Sequence, residues 1–148
     1  ANPEQILRTI ELAREEYDHV ILDLPSNWTN WTLSLVALSD VVFLVAELSV
    51  ASLRQAKRQL QLLANQDINH DNIHVIANRV EQRMLRTINL DDASHALGHP
   101  IEYSIHNDYP LVRAAHDQGV LINAIRARSK IGTDIAAMLP LLTKATDA

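Results

Sequence analysis

Four short apolar runs, separated by helical patterns, constrain this chain more than any other feature. They are Val20-Ile21-Leu22, Val41-Val42-Phe43-Leu44-Val45, Ile73-His74-Val75-Ile76-Ala77 and Ile101-Glu102-Tyr103-Ser104-Ile105. The first three are nearly continuous and β-branched, the pattern of strands buried on both faces. The fourth alternates, as an edge strand does. Between them, Pro3 to Glu16 places Ile6, Leu7, Ile10 and Ala13 on one helical face, with Asn2 as cap. Trp31 to Leu38 reads as a short helix capped by Thr29 or Asn30, and Val50 to Ala64 as a longer one with Ser49 before it. Asp91 to Leu97 and Leu111 to Gln118 end at Gly98 and Gly119, the residues that stop helices most readily. Ser129 to Lys144 reads as a last helix that Pro140 bends or interrupts. Asn65 to Asn72 and Glu81 to Asn89 read as polar loops. Strands alternating with helices predict an α/β domain with a mainly parallel sheet, helices on both faces and right-handed crossovers.

Composition narrows the function. The 148 residues form one domain or part of one by length, and 47% are hydrophobic, enough for a core. There is no cysteine, which removes disulfide scaffolds, thiol catalysis and Cys-based zinc sites, and suits the cytoplasm. The formal net charge of −5 opposes a nucleic-acid footprint over the whole chain. No apolar run reaches the roughly 18 residues of a membrane span, so no stable membrane insertion is expected. The N-terminus, Ala-Asn-Pro-Glu-Gln, has no look of a signal peptide. The three glycines, Gly98, Gly119 and Gly132, are too scattered for a phosphate-cradling loop, and no Gly-Lys dipeptide exists. A self-contained P-loop ATPase is therefore excluded for these 148 residues alone.

In an open parallel sheet, ligands bind beyond the carboxyl ends of the strands. The four runs end in Asp23, Glu47, Asn78-Arg79 and His106-Asn107-Asp108, which converge on one edge if the strands are parallel. Strands must end in something polar, and that suffices for Glu47. Asp23 is the sharpest candidate: a carboxylate closing an apolar strand can serve Mg²⁺, or it can cap the next segment. Asn78 can read a base edge, or cap its strand in an Asx-turn with Val80. Trp28 and Trp31 either anchor the short helix or face a partner. Arg54, Lys57 and Arg58 share a helical face, by default a solvated basic one. His95 and His99 are four apart, but Gly98 should end the helix between them, which disfavours a metal face. His19, His74 and His116 have no ligand-type companions nearby in sequence.

Tyr17-Asp18-His19-Val20-Ile21-Leu22-Asp23-Leu24-Pro25, followed by Trp28 and Trp31-Thr32, resembles the switch II segment of ParA/MinD-like (SIMIBI-class) P-loop ATPases. It looks most like the CpaE/TadZ branch of tight-adherence (Flp, type IV) pilus assembly. Ser52 to Lys57, Val75-Ile76-Ala77-Asn78-Arg79-Val80, and Ile105 to Gly119 resemble further segments of that branch in order and spacing. The similarity runs from about Tyr17 to Leu142. It implies a Rossmann-like P-loop NTPase fold seen from its C-terminal portion, residues 1–148, with the N-terminal strand and phosphate loop missing.

The resemblance implies roles residue by residue. Asp23 would serve Mg²⁺, directly or through water, and the attacking water. Asn78 would hydrogen-bond adenine, Arg79 would flank it, and Asn107 and Asp108 would cover it, partly through backbone groups. Trp28, Trp31 and Arg54 would lie on the partner or dimer face. His106 stands where the family usually has Pro, and Ser-Asn-Trp follows Pro25 where ParA and MinD differ. The function implied is a nucleotide-dependent assembly or localisation ATPase using ATP and Mg²⁺. The complete protein would be a homodimer working with pilus or secretion machinery. It would be cytoplasmic, recruited to the inner membrane or cell pole by partners. The alternative is a non-catalytic scaffold on the same fold.

Overall fold

The computed structural model describes residues 3–66, 68, 70–81 and 88–144. The chain divides into two compact units, Ala1–Asp40 and Val41–Ala148. The first holds α1 (Pro3–Glu16) and α2 (Asn30–Ala37). The second runs β1 (Val42–Glu47), α3 (Val50–Ala64), a 3₁₀ turn (His70–Asn72), β2 (Ile73–Val80), α4 (Leu90–Leu97), β3 (Ile101–His106), α5 (Tyr109–Gln118), α6 (Ile122–Ile125), α7 (Lys130–Ala136) and α8 (Leu139–Lys144).

The amphipathic pattern of residues 3–16 forms α1 as expected; its cap, Asn2, lies outside the described residues. Thr29 takes the N-cap position of α2, yet its hydroxyl makes no capping bond. It lies 3.1 Å from the Thr32 hydroxyl, which is fully buried, so each hydroxyl satisfies the other. Trp31, half-buried, lines a small apolar cleft with Ile6, Leu7, Ser34 and Leu35.

The strand expected at Val20-Ile21-Leu22 does not form: residues 17–29 contain neither helix nor strand. A strand exists only through the ladder bonds of a neighbour, and among the described residues of this unit there is no second strand to supply them. Ile21 is 83% exposed, unlike a residue of a doubly covered strand.

In the second unit the sheet is parallel throughout, in the order β1-β2-β3. Both connections step in the same direction, so the right-handed rule puts α3 and α4 on the same face. The two helices do pack together, α3 against β1 and α4 against β3. Lys57 on α3 donates to the Ala96 carbonyl at 2.7 Å. That satisfies one of the free carbonyls in the last turn of α4, where a cation also suits the helix dipole. The basic face of α3 is therefore not wholly solvated.

Ser49 caps α3 by accepting from the Ser52 amide, and the Ser52 hydroxyl accepts from the Glu47 amide at 2.9 Å, fixing the turn from β1 into α3. β2 lies between two neighbours and is the most buried strand; Ile73, Val75 and Ala77 are all essentially inaccessible. Leu53, Ala56, Leu60 and Leu63 form the buried stripe of α3. Gly98 and Gly119 adopt left-handed backbone (φ 68° and 64°) and end α4 and α5, as their positions predict. The expected last helix is two: α7 stops at Ala136 and α8 begins at Leu139, so Pro140 falls in a first turn, where its missing N–H costs nothing. The short α6, among apolar residues without clear periodicity, was not expected. Most of the expected 81–89 loop, including Arg83 and Arg86, lies outside the described residues.

Candidate functional site

Because all three strands point the same way, their carboxyl ends share one edge. Glu47 at the end of β1 pairs in register with Asn78 on β2, and β3 ends at His106. Three of the four polar endings expected to converge do so. The fourth, Asp23, belongs to the first unit. It is exposed and makes no hydrogen bond to another described residue.

The end of β2 is irregular. Ala77 pairs with Ser104 and Val80 with His106, so Asn78 and Arg79 stand against Ile105 alone. One extra residue on one strand is a β-bulge, which bends the strand and redirects side chains. Within it Arg79 has φ 54°, the only non-glycine with positive φ among the described residues. Its guanidinium donates to Glu47 Oε1 at 3.0 Å, bridging the ends of β1 and β2. Its amide donates to Asn78 Oδ1 at 2.9 Å. Asn78 thus turns its oxygen to the next residue rather than to Val80, and its side-chain NH₂ has no described partner.

The turn after β3 is held at each residue by a different part of the chain. The His106 amide donates to Asp134 Oδ2 on α7 at 2.9 Å, and its ring Nδ1 lies 2.8 Å from the same oxygen. An ionised carboxylate only accepts, so the ring nitrogen is the donor. Asn107 donates from its amide to the Val80 carbonyl at 3.1 Å and from Nδ2 to Glu81 Oε1 at 3.0 Å. Asp108 accepts the Leu111 amide at 3.2 Å as N-cap of α5, and Arg126 Nη1 at 2.8 Å. Each oxygen of Asp108 accepts one of these bonds, which holds the carboxylate in place.

This edge presents amides, guanidiniums and carboxylates, groups that bind by hydrogen bonding. Among the described residues no three His, Asp or Glu side chains group into a metal site. An exposed lone carboxylate such as Asp23 nevertheless suits Mg²⁺, which takes one or two carboxylates and keeps its waters.

Of the partner-face candidates, Arg54 is exposed on α3 without a described partner, Trp28 is half-buried before α2, and Trp31 sits in the cleft. His74, isolated in sequence, pairs with Glu102 at 2.7 Å across β2 and β3. Sequence reasoning missed Asp134, Arg126 and Glu81. Each meets its partner from many positions away and carries no local motif.

No family model matches the chain. A ParA-family ATPase from Chlorobium tepidum TLS superposes with a TM-score of 0.82 at 21% identity, over 98% of this chain and 57% of that one. The fold is that of the ParA and MinD ATPases. The MinD of Pyrococcus horikoshii OT3, solved with Mg-ADP, gives a TM-score of 0.72 at 20% identity, over 98% of this chain and 56% of that one. In sequence, the septum site-determining protein MinD of Bacillus subtilis (strain 168) is 23% identical over 117 residues, 77% of this chain. The chain spans 43% of that protein's length. Among the described residues no helix is long and apolar enough to cross a membrane.

Proposed function

We propose that these 148 residues are the C-terminal portion of a nucleotide-dependent ATPase domain of the CpaE/TadZ type, acting in assembly or localisation of a tight-adherence pilus or secretion system. The observation that carries this is the shared carboxyl edge, where Asn78-Arg79 and Asn107-Asp108 meet on a parallel sheet of ParA/MinD fold. Asn78 offers the base an NH₂ with no partner among the described residues and one remaining lone pair on its oxygen, Arg79 flanks it, and the 107–108 turn covers it. Asp23 would hold Mg²⁺, which when bound neutralises phosphate charge and orients water. The phosphate-binding loop is expected outside these residues. The domain works as an ATP-bound homodimer, with Trp28, Trp31 and Arg54 toward partners, in the cytoplasm and recruited to the inner membrane or cell pole.

The likeness to a MinD solved with Mg-ADP supports ATP and Mg²⁺ as ligands. A scaffold without turnover is the competing reading; a complete protein whose sequence upstream of Ala1 lacks a phosphate-binding loop would favour it.

Two measurements decide. Titration of the 148-residue chain with Mg-ATP should show no micromolar binding, since the phosphate loop supplies most of the affinity in such folds. In the complete protein, Asp23→Ala should abolish Mg²⁺-dependent ATP hydrolysis at unchanged melting temperature. A complete protein that never hydrolyses ATP is the scaffold, and loss of folding in Asp23→Ala makes Asp23 a cap.

A further inference from the structure

We propose that Asp134 is a positioning residue for the 106–108 turn and acts on it through His106. The proposal deepens the nucleotide reading above, in which that turn covers the base. One carboxylate oxygen, Asp134 Oδ2, receives two N–H groups of the same residue: the His106 amide at 2.9 Å and ring Nδ1 at 2.8 Å. The pair is well shielded, with side chains 22% (His106) and 15% (Asp134) exposed. Hydrogen bonds to an ionised acceptor are stronger than neutral ones, and partial burial strengthens them further.

Two bonds to one residue do what one cannot. The amide bond fixes where β3 ends, and the ring bond fixes the χ angles of His106, so the residue before Asn107 has neither backbone nor side-chain freedom. Asp134 lies in α7, which packs against β3, so the anchor belongs to a helix rather than a loop. Ser129, 3% exposed, caps that helix by accepting the Gly132 amide at 3.0 Å. The other two clasps, Glu81 on Asn107 and Arg126 on Asp108, come from more exposed groups. Asp134 is the most shielded of the three, so it sets the position the others trim. The ring bond also fixes the tautomer: with Nδ1 protonated, neutral His106 keeps Nε2 as an acceptor, and that nitrogen has no described partner.

The test uses amide hydrogen exchange and ring ¹⁵N NMR on the complete protein without nucleotide, comparing the parent with Asp134→Ala, His106→Ala and the double variant. In the parent, His106 should show the Nδ1–H tautomer. Asp134→Ala should remove that signature and speed exchange at His106 and Asn107 about tenfold to a hundredfold, the effect of losing charge-assisted bonds. The double variant should exchange little faster than Asp134→Ala alone, because the two residues act as one clasp. Three results overturn the proposal: an unchanged tautomer in Asp134→Ala, acceleration confined to α7, or strictly additive effects in the double variant. None of these readouts needs nucleotide, so their failure is distinct from failure of the nucleotide reading, which the Mg-ATP measurements decide.

Discussion

Replacing Arg79 by glycine should leave the protein more stable than replacing it by alanine. Arg79 sits at φ 54° in the bulge of β2. Any residue with a Cβ is disfavoured there by about 1–2 kcal/mol, whereas glycine is not. Alanine keeps that cost. Both substitutions lose the ion pair with Glu47, whose side chains are 67% (Arg79) and 50% (Glu47) exposed; such a surface pair contributes roughly 0–1 kcal/mol, and its loss cancels in the comparison. Glycine gives back about 0.4–1 kcal/mol through its freer unfolded chain. The balance favours glycine over alanine by about 0.5–1 kcal/mol, or roughly 2–4 °C for each kcal/mol in a chain of this size. Thermal melts of Arg79→Gly, Arg79→Ala and the parent would measure it. If Arg79→Gly melts at or below Arg79→Ala, the left-handed backbone is not strained, and the strain argument fails. Nucleotide affinity separates a second question. Both variants lose the guanidinium, so both should weaken ATP binding in the complete protein alike, although their stabilities differ.

Asn78→Ala in the complete protein should lower ATP affinity about tenfold to a hundredfold, with little change for GTP and an unchanged melting temperature, from loss of roughly 1–3 kcal/mol of paired contact. Equal losses for both nucleotides would make Asn78 a strand-end residue only. Duplex DNA should not shift in a gel at about 150 mM salt with submicromolar chain, given the net charge of −5; a retained complex there would mean that the chain carries a nucleic-acid surface despite its charge. Leu63→Ala should destabilise by about 2–5 kcal/mol, because Leu63 is fully buried and truncating it leaves a cavity in the core. Denaturant melts would show it, and a loss below about 1 kcal/mol would mean that this part of the core repacks.

Local signals were legible. Ser49 announces α3, Gly98 and Gly119 announce two helix ends, and β-branched runs announce β1 and β2. Each works through bonds or sterics within a few residues. The strand at Val20-Ile21-Leu22 failed because pairing is not a local property; an apolar run is only a candidate until a neighbour accepts its backbone groups. The ends of β2 and β3 were placed correctly at one edge. How Asn78 and Arg79 behave there was not legible, since arginine gives no hint of left-handed backbone and the bulge depends on the partner strand. The clasp by Asp134 was invisible for the same reason: it joins His106 to a residue of a different helix, and no spacing rule connects them.

The irregularities between β2 and β3 come as a compensating pair. Going along the strands, Val75 faces Ile101 but Ile76 faces Tyr103, so β3 carries the surplus residue first, at Glu102. Further on, β2 carries the surplus, at Asn78-Arg79, and Val80 with His106 returns to the alignment of Val75 with Ile101. The stretch between is slid by one position relative to both ends. A single deletion at either place would leave the slide uncorrected and turn every later side chain of that strand to the opposite face. Deleting near Glu102 would thus disturb the ligand edge from the far end of the strand. Removing both surplus residues, one from each strand, would instead restore a continuous alignment from Val75 with Ile101 to Val80 with His106.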